Sequence, residues 1–306
     1  MSGGAVGAQL AELYATYQST IGYIGINALL ALSVYTTLSC GQLALGSAGF
    51  MALGAYAAAL LTMHAALPFA LPFVVVLGAA ALVPALAAIP LGLPVLRLRG
   101  VFLAIATIGF GEVVRLGMVN WDYVNGAQGI VAIPQKAGVG HIALCLALTL
   151  FVLGRLRGSK WGFALEAIRQ DEPAARTMGI DTTMYKLAML VLGAAIAGLA
   201  GGLEAHFTFM VAPNGFSFER VVDMLVFAVV GGAHTFWGPA VGAAFLTLLP
   251  EVLRELSPLI GIEPGPLRLL VSGLVLLAVI LFLPNGLVSL PARVRAARAA
   301  RTRRGA

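Results

Sequence analysis

Along most of this chain the apolar positions neither alternate nor form a narrow stripe. They run on, in stretches close to the ~20 residues a helix needs to cross a bilayer. Reading the runs between their breakers predicts nine helices, at 21–39, 43–63, 69–95, 101–119, 141–156, 186–206, 219–233, 238–254 and 267–284. The fifth and seventh are short for a full crossing, so the expected count is about nine, within eight to ten. Residues 8–20, AQLAELYATYQST, predict a further short helix whose polarity argues against a crossing. A transmembrane barrel would show ~10-residue segments of alternating polarity, a pattern this chain lacks. The expected fold is all-α and polytopic, one transmembrane domain over 1–306 with no separate soluble unit.

One stretch breaks the pattern. GFALEAIRQDEPAARTMGID, residues 162–181, carries Glu166, Arg169, Asp171, Glu172, Arg176 and Asp181 among small apolar residues such as Ala164, Ala167, Ile168, Ala175 and Met178. Two spans can be joined by a few residues, yet about thirty separate them here. Pro173 suits the first turn of a helix and Gly179 a helix C-terminal cap. The mixture predicts short amphipathic helices over 157–185, one side toward the membrane helices and the other toward a partner.

Composition moves the picture in the same direction. The chain is 60% hydrophobic and 10% charged, with mean hydropathy +0.95. A soluble domain carries about 25% charged residues, so the main solvent here is lipid. The net charge of +6 is matched by six arginines near the C-terminus: Arg293, Arg295, Arg298, Arg301, Arg303 and Arg304. A basic segment, 291–306, after a last apolar run reads as a cytoplasmic anchor facing anionic lipid rather than a nucleic-acid site.

Orientation follows from the same charges. With the 157–185 loop inside and the helices alternating, the inner side collects Arg97, Arg99, Arg155, Arg157, Lys160, Arg169, Arg176, Lys186 and the six C-terminal arginines. The outer side keeps Arg115, Lys136, Arg220, Arg254 and Arg268. That asymmetry obeys the positive-inside rule and predicts N-terminus out, C-terminus in. No Lys or Arg precedes Arg97, so no basic signal region is expected before the first apolar run.

Helices in lipid associate through close packing of small residues. Gly198-xxx-Gly202, the Gly193, Ala197, Gly201 series and Gly238-xxx-Gly242 supply such faces. SCGQLALGSAGF (39–50) and GGAHTFWGP (231–239) predict breaks, and unwound backbone at membrane depth needs protein or water to cover it. Interrupted helices often frame a substrate path, which makes Gln42, Ser47 and Glu112 candidates for one. Each has an ordinary alternative: interhelical hydrogen bonding for Gln42 and Ser47, an i,i+3 ion pair with Arg115 for Glu112. Glu204 and His206 are expected at the membrane interface, and Cys40 and Cys145 as small buried hydrophobes.

No catalytic arrangement stands out. LRGSKW lacks the Gly-Lys pair of a phosphate-binding loop. His64, His141, His206 and His234 stand singly, without metal-ligand spacing. No cofactor or metal is expected. A membrane protein with a structured cytoplasmic loop and no ATP motif of its own suggests a transporter driven by a separate ATPase. The alternative from the residues alone is a self-sufficient secondary transporter in which the loop is incidental.

The loop also resembles the coupling loop of bacterial ABC importer permeases, with Glu166-Ala167 and Gly179 at its characteristic positions. More widely, GQLALGSAGFMALGAYAAALL, LRGVFLAIATIGFGEVVR, the segment from Gly162 through Leu203, and GGAHTFWGPAVGAAFLTLLPE resemble the LivM-type permeases of branched-chain amino acid importers, over residues 21–290. The resemblance implies an inner-membrane subunit working with a second, LivH-like permease, two cytoplasmic ATPases and a periplasmic binding protein that delivers leucine, isoleucine or valine. It implies that Glu166, Ala167, Arg169, Asp171, Glu172, Arg176 and Gly179 face the ATPase. Ala44 and Ser47 stand where the family usually has Ser and His, and Asn125-Gly126-Ala127 where a Thr-Gly-Gly turn is common. Those departures leave room for a related substrate such as urea, an amide or another amino acid.

Overall fold

The computed structural model describes residues 3–64, 72–98, 100–260 and 286–289, with isolated positions at 273–274, 277 and 281. Among them ten α-helices follow one another: α1 (Gly3–Leu38), α2 (Ser47–His64), α3 (Phe73–Val95), α4 (Val101–Val119), α5 (Val139–Arg157), α6 (Lys160–Gln170), α7 (Glu172–Thr177), α8 (Thr182–Thr208), α9 (Phe218–Gly231) and α10 (Gly238–Ile260). Two dipeptide strands, β1 (Ile130–Val131) and β2 (Met210–Val211), pair antiparallel with Ile130 opposite Val211.

The all-α membrane architecture stands, and the described residues do not confirm a count of nine spans. Five described helices are long and apolar enough to cross a bilayer: Tyr17–Leu38 within α1, then α3, α4, α5 and α8, with shorter apolar helices at Ser47–Met63 and Gly238–Val252. The 14 residues of α9 reach only ~21 Å at 1.5 Å per residue, against a hydrocarbon core of about 30 Å. The predicted span 267–284 lies almost wholly outside the described residues, and 291–306 wholly so. Residues 8–20 form no separate helix, because α1 runs unbroken from Gly3 into the first span.

The helices divide into centre and rim. In α1 and α8, 78% and 61% of the apolar window is buried, against 28% for α3 and α4 and 17% for α5. The rim helices turn Leu82, Leu86, Phe102, Ile105, Leu144 and Phe151 outward, as helices facing lipid must. At the centre, α8 is hemmed in by α1, α2 and α3, and its small residues make the approach possible. Gly193 lies against Ser33 and Thr36 of α1, Gly201 against Met51 of α2, and Gly202 against Ala58 of α2 and Ala80 of α3. Gly198 meets Gly54 on one side and Ala80 and Pro84 on the other. Pro84 has no N–H to offer the Ala80 carbonyl, and Gly198 closes over that point.

Two breaks interrupt the helices where the sequence places them. After α1, Gly41 takes a left-handed φ of 74°. Residues 42–46 then run without helix, and α2 starts at Ser47 rather than at 43. The uncoiled backbone is covered: the Leu45 N–H donates to Thr107 Oγ1 of α4 at 2.8 Å. The second break, between α9 and α10, stacks Gly231 and Gly232 against Gly238, Gly242 and Gly286. No side chain fits between those backbones.

Candidate functional site

The 157–185 loop folds as two helices with their ends tied off. Ser159 Oγ accepts from the Trp161 N–H at the start of α6. Asp171 Oδ1 accepts from Ala174 N–H and starts α7, with Pro173 in its first turn. Gly179, at φ 83°, ends α7 in the left-handed conformation. Asp181 Oδ1 then accepts from Thr183 and Met184 N–H to start α8. An N-cap of this kind contributes about 1 kcal/mol, so three in succession make the loop a structure rather than a tether.

The charges face one another. Arg169 Nη2 donates to Glu166 Oε1 at 2.9 Å, and Gln170 to the same oxygen at 3.2 Å. Glu172 collects Arg176 Nη2 at 2.8 Å on one oxygen and Lys186 Nζ at 2.6 Å on the other, with the Thr182 hydroxyl 3.3 Å away. Burial alone would raise the Glu172 carboxyl, but the Lys186 bond and charge and the Arg176 charge outweigh it and hold it below its ordinary range. Glu166 is lowered in the same way: burial opposes, and hydrogen bonds from Gln170 and Arg169 prevail. Most of the charged residues singled out in the sequence therefore hold α6 and α7 in shape. Ala167 is half-buried within α6. The outward contacts belong to Phe163, 74% exposed, and Met178, 82% exposed. Sequence reasoning passed over Phe163, yet it sits out of phase with the buried face of Ala164, Leu165 and Ile168, and that mismatch was readable.

The inner face of α6 rests on the first break. Leu165 packs with Cys40 and Met189, the Arg169 backbone lies over Gly41, and the Trp161 ring sits 4.6 Å from Tyr185. Cys40 is enclosed, its thiol pushed up to about 12 chiefly by burial, a packing group as expected. Within the break, Gln42 is buried and accepts from the Cys40 thiol at 3.5 Å. Ser47 lines a small cavity with Ser33 and Thr37 of α1 and Gly193 of α8. The Gln42 N–H donates to Thr37 O at 3.0 Å, so these two candidates share a neighbourhood. Glu112 does not join them through any contact of its carboxylate, which takes Arg115 Nε at 2.8 Å on its own helix.

At the far end of α8 the two residues expected at the membrane interface have different surroundings. His206 is fully buried, bonded to Thr62 Oγ1 at 2.9 Å and Gly202 O at 2.8 Å and crossed by the Phe73 ring. The ends of α2 and α3 cover it. Glu204, two residues earlier and on another face, pairs with Arg220 of α9 at 2.9 Å and borders a pocket of about 330 Å³. Among the described residues no three His, Cys, Asp or Glu side chains are grouped to hold a metal ion.

Residues 16–280 match the family described as the branched-chain amino acid transport system / permease component. The chain belongs to that family. The permease is 34% identical over 271 residues to the high-affinity branched-chain amino acid transport system permease protein LivM of Salmonella typhimurium, covering 76% of this chain and 61% of that one. Against LivM of Escherichia coli it is 34% identical over 276 residues, 78% and 63% of the two chains. A probable LivH of Methanocaldococcus jannaschii is 26% identical over 170 residues, 55% and 51%. The permease spans about three fifths of the length of the LivM relatives it matches. No solved structure matches it. Family and apolar helices together make it a multi-pass membrane protein.

Proposed function

We propose that this permease is the LivM-like transmembrane half of an ATP-driven importer for branched-chain amino acids in the inner membrane, with a LivH-like permease, two cytoplasmic ATPases and a periplasmic binding protein. Orientation follows the charge asymmetry: N-terminus outside, C-terminus and α6–α7 inside. The observation that carries the reading is the capped α6–α7 pair, seated on the α1–α2 break and turning Phe163 and Met178 outward. Glu166, Ala167, Arg169, Asp171, Glu172, Arg176 and Gly179 shape that docking element.

The chain contributes no ATP chemistry in this reading; it contributes a lever. An ATPase that grips Phe163 and Met178 and closes on ATP pushes α6 against Gly41 and Leu165 against Cys40. Close-packed interiors transmit such displacements rather than absorbing them. The push reaches the uncoiled residues 42–46, held by contacts such as Leu45 N–H to Thr107 and Gln42 N–H to Thr37 O, and then Ser47 at the head of α2. Gln42 and Ser47 thus stand where lever motion would open or close the path, with Glu112 a weaker member.

Gentle extraction from the native membrane, followed by mass spectrometry of the intact assembly, tests this. Two ATPase subunits and a second permease are expected. Recovery of this chain by itself, under conditions that keep ABC complexes together, would refute the reading in favour of a self-sufficient transporter.

A further inference from the structure

Glu172 also borders a cavity that the lever does not use. At about 460 Å³, it is bounded by Leu93, Leu96 and Arg97 at the end of α3 and by Glu172, Arg176 and Lys186 of α7 and α8. That volume lies within the roughly 300–1,000 Å³ of small-ligand sites. Three cations against one acid give the cavity an excess of two positive charges.

The acid is already engaged on both oxygens, by Arg176 Nη2 on one and Lys186 Nζ on the other. The cations keep donors in reserve. An ammonium carries three N–H groups and a guanidinium five. Lys186 uses one, on Glu172, and Arg176 uses two, on Glu172 and Thr182. The exposed Arg97 guanidinium has no partner among the described residues. An anion can therefore enter and find N–H groups without breaking the pairs that hold α7.

The α3 side of the cavity shows what kind of molecule carries that anion. Leu82, Leu86, Ile89 and Leu93 are all exposed, and their spacing of four, three and four residues puts them on one side of the helix, leading down to Arg97. Leu82 and Leu93 are eleven residues apart on α3, ~16 Å at 1.5 Å per residue. That is the depth of one leaflet in a hydrocarbon core about 30 Å thick. An apolar strip of that length ending in a cationic pocket matches the two parts of an anionic phospholipid. A soluble phosphate would use the pocket and leave the strip without a role.

We infer that this corner binds an anionic phospholipid, its phosphate among Arg97, Arg176 and Lys186 and an acyl chain along residues 82–93. Guanidinium groups suit phosphate oxygens through paired N–H bonds, and basic pockets between helices at the membrane surface hold lipid headgroups. The phosphate joins the end of α3 to α7 and the foot of α8, with Glu172 still between its two cations. Such a site needs only that α3 faces lipid, so it holds whether the permease works with ATPases or alone.

The test is photo-crosslinking of the full-length permease, in its native assembly within phosphatidylcholine vesicles, by phosphatidylglycerol with a diazirine on its acyl chain. Mass spectrometry of the peptides should find the label on residues 82–93. A phosphatidylcholine probe of the same design should label them at least fivefold less, and glycerophosphoglycerol, the headgroup without chains, should not displace the label. Arg97→Gln should cut labelling fivefold or more and Arg97→Lys by less. Lys160→Gln, which removes an exposed cation outside the pocket, should leave labelling unchanged. Equal labelling by the phosphatidylcholine probe would reduce the strip to ordinary bilayer contact. Displacement by glycerophosphoglycerol would make the pocket a soluble-anion site, and absence of label from 82–93 would give that face to a neighbouring subunit. Each of these overturns the inference, as does wild-type labelling of Arg97→Gln or an equal loss in Lys160→Gln.

Discussion

Lys186 Nζ lies 2.6 Å from Glu172 Oε2, fourteen residues away in the chain, and that contact fastens α7 to the foot of α8. Both side chains are largely covered, Lys186 at 13% and Glu172 at 20% exposure. The same carboxylate also takes Arg176, so one acid organises the turn between the loop and the central helix α8.

Replacing Glu172 with Gln is therefore expected to loosen α7 while leaving the membrane helices in place. A partly exposed ion pair contributes about 1 kcal/mol or less, so amide exchange over residues 172–178 should quicken by roughly fivefold at neutral pH. The pH dependence has a defined sign. The folded Glu172 carboxyl is held low, so its stabilisation is present above the unfolded carboxylate range, near pH 4.3, and fades as pH falls through the folded value. The protection of α7 amides in the wild type, taken relative to their intrinsic exchange rates, should fall below about pH 4.5, and that of the Gln variant should not change there.

Phe163→Ser and Met178→Ser should leave insertion and fold intact, because both side chains already stand in the open. If they seat an ATPase, each should cut recovery of the ATPase subunits with the permease by tenfold or more, the usual scale when a buried interface anchor worth about 2 kcal/mol is lost. Unchanged recovery for the double variant would place the docking surface elsewhere.

Gly198→Ala tests the centre of the bundle. A Cβ there meets Ala80 O and the Pro84 ring, backbone and a rigid side chain that have little room to yield. Overpacking typically costs about 1–3 kcal/mol, read as a lowered unfolding midpoint in detergent. Gly109→Ala within α4, where an added Cβ meets nothing within 4 Å, is the control and should not lower that midpoint, since Ala favours the helix.

Thr107→Val takes the acceptor from Leu45 N–H in a covered part of the first break. An unsatisfied N–H of this kind costs about 1–3 kcal/mol, so residues 42–46 should exchange faster, and Thr107→Ser should restore the wild-type rate. If α6 works through this segment, the Val variant should also transport more slowly at an unchanged rate of ATP hydrolysis.

Much of this was legible in the chain itself. Long apolar runs define helices because an unpaired backbone is intolerable in lipid, and the run at 101–119 ends where α4 ends. Ser159, Asp171, Pro173, Gly179 and Asp181 spell out the starts and stops of α6, α7 and α8, since caps act over three or four residues and need no tertiary partner. The spacing of Gly193, Gly198, Gly201 and Gly202 announces a helix approached closely from several sides. What the sequence could not decide depends on distance through space. It turned Glu172 toward a partner and gave no sign of Lys186, because hydrogen bonds across fourteen residues carry no local signature. It gave no sign that His206 is enclosed, because burial at a helix end is set by the neighbours, here α2 and α3. It could not join Glu204 to Arg220, whose meeting is made by the turn between α8 and α9. Local conformation is written in short-range sterics and hydrogen bonding, whereas the company a charge keeps is chosen only when the helices pack.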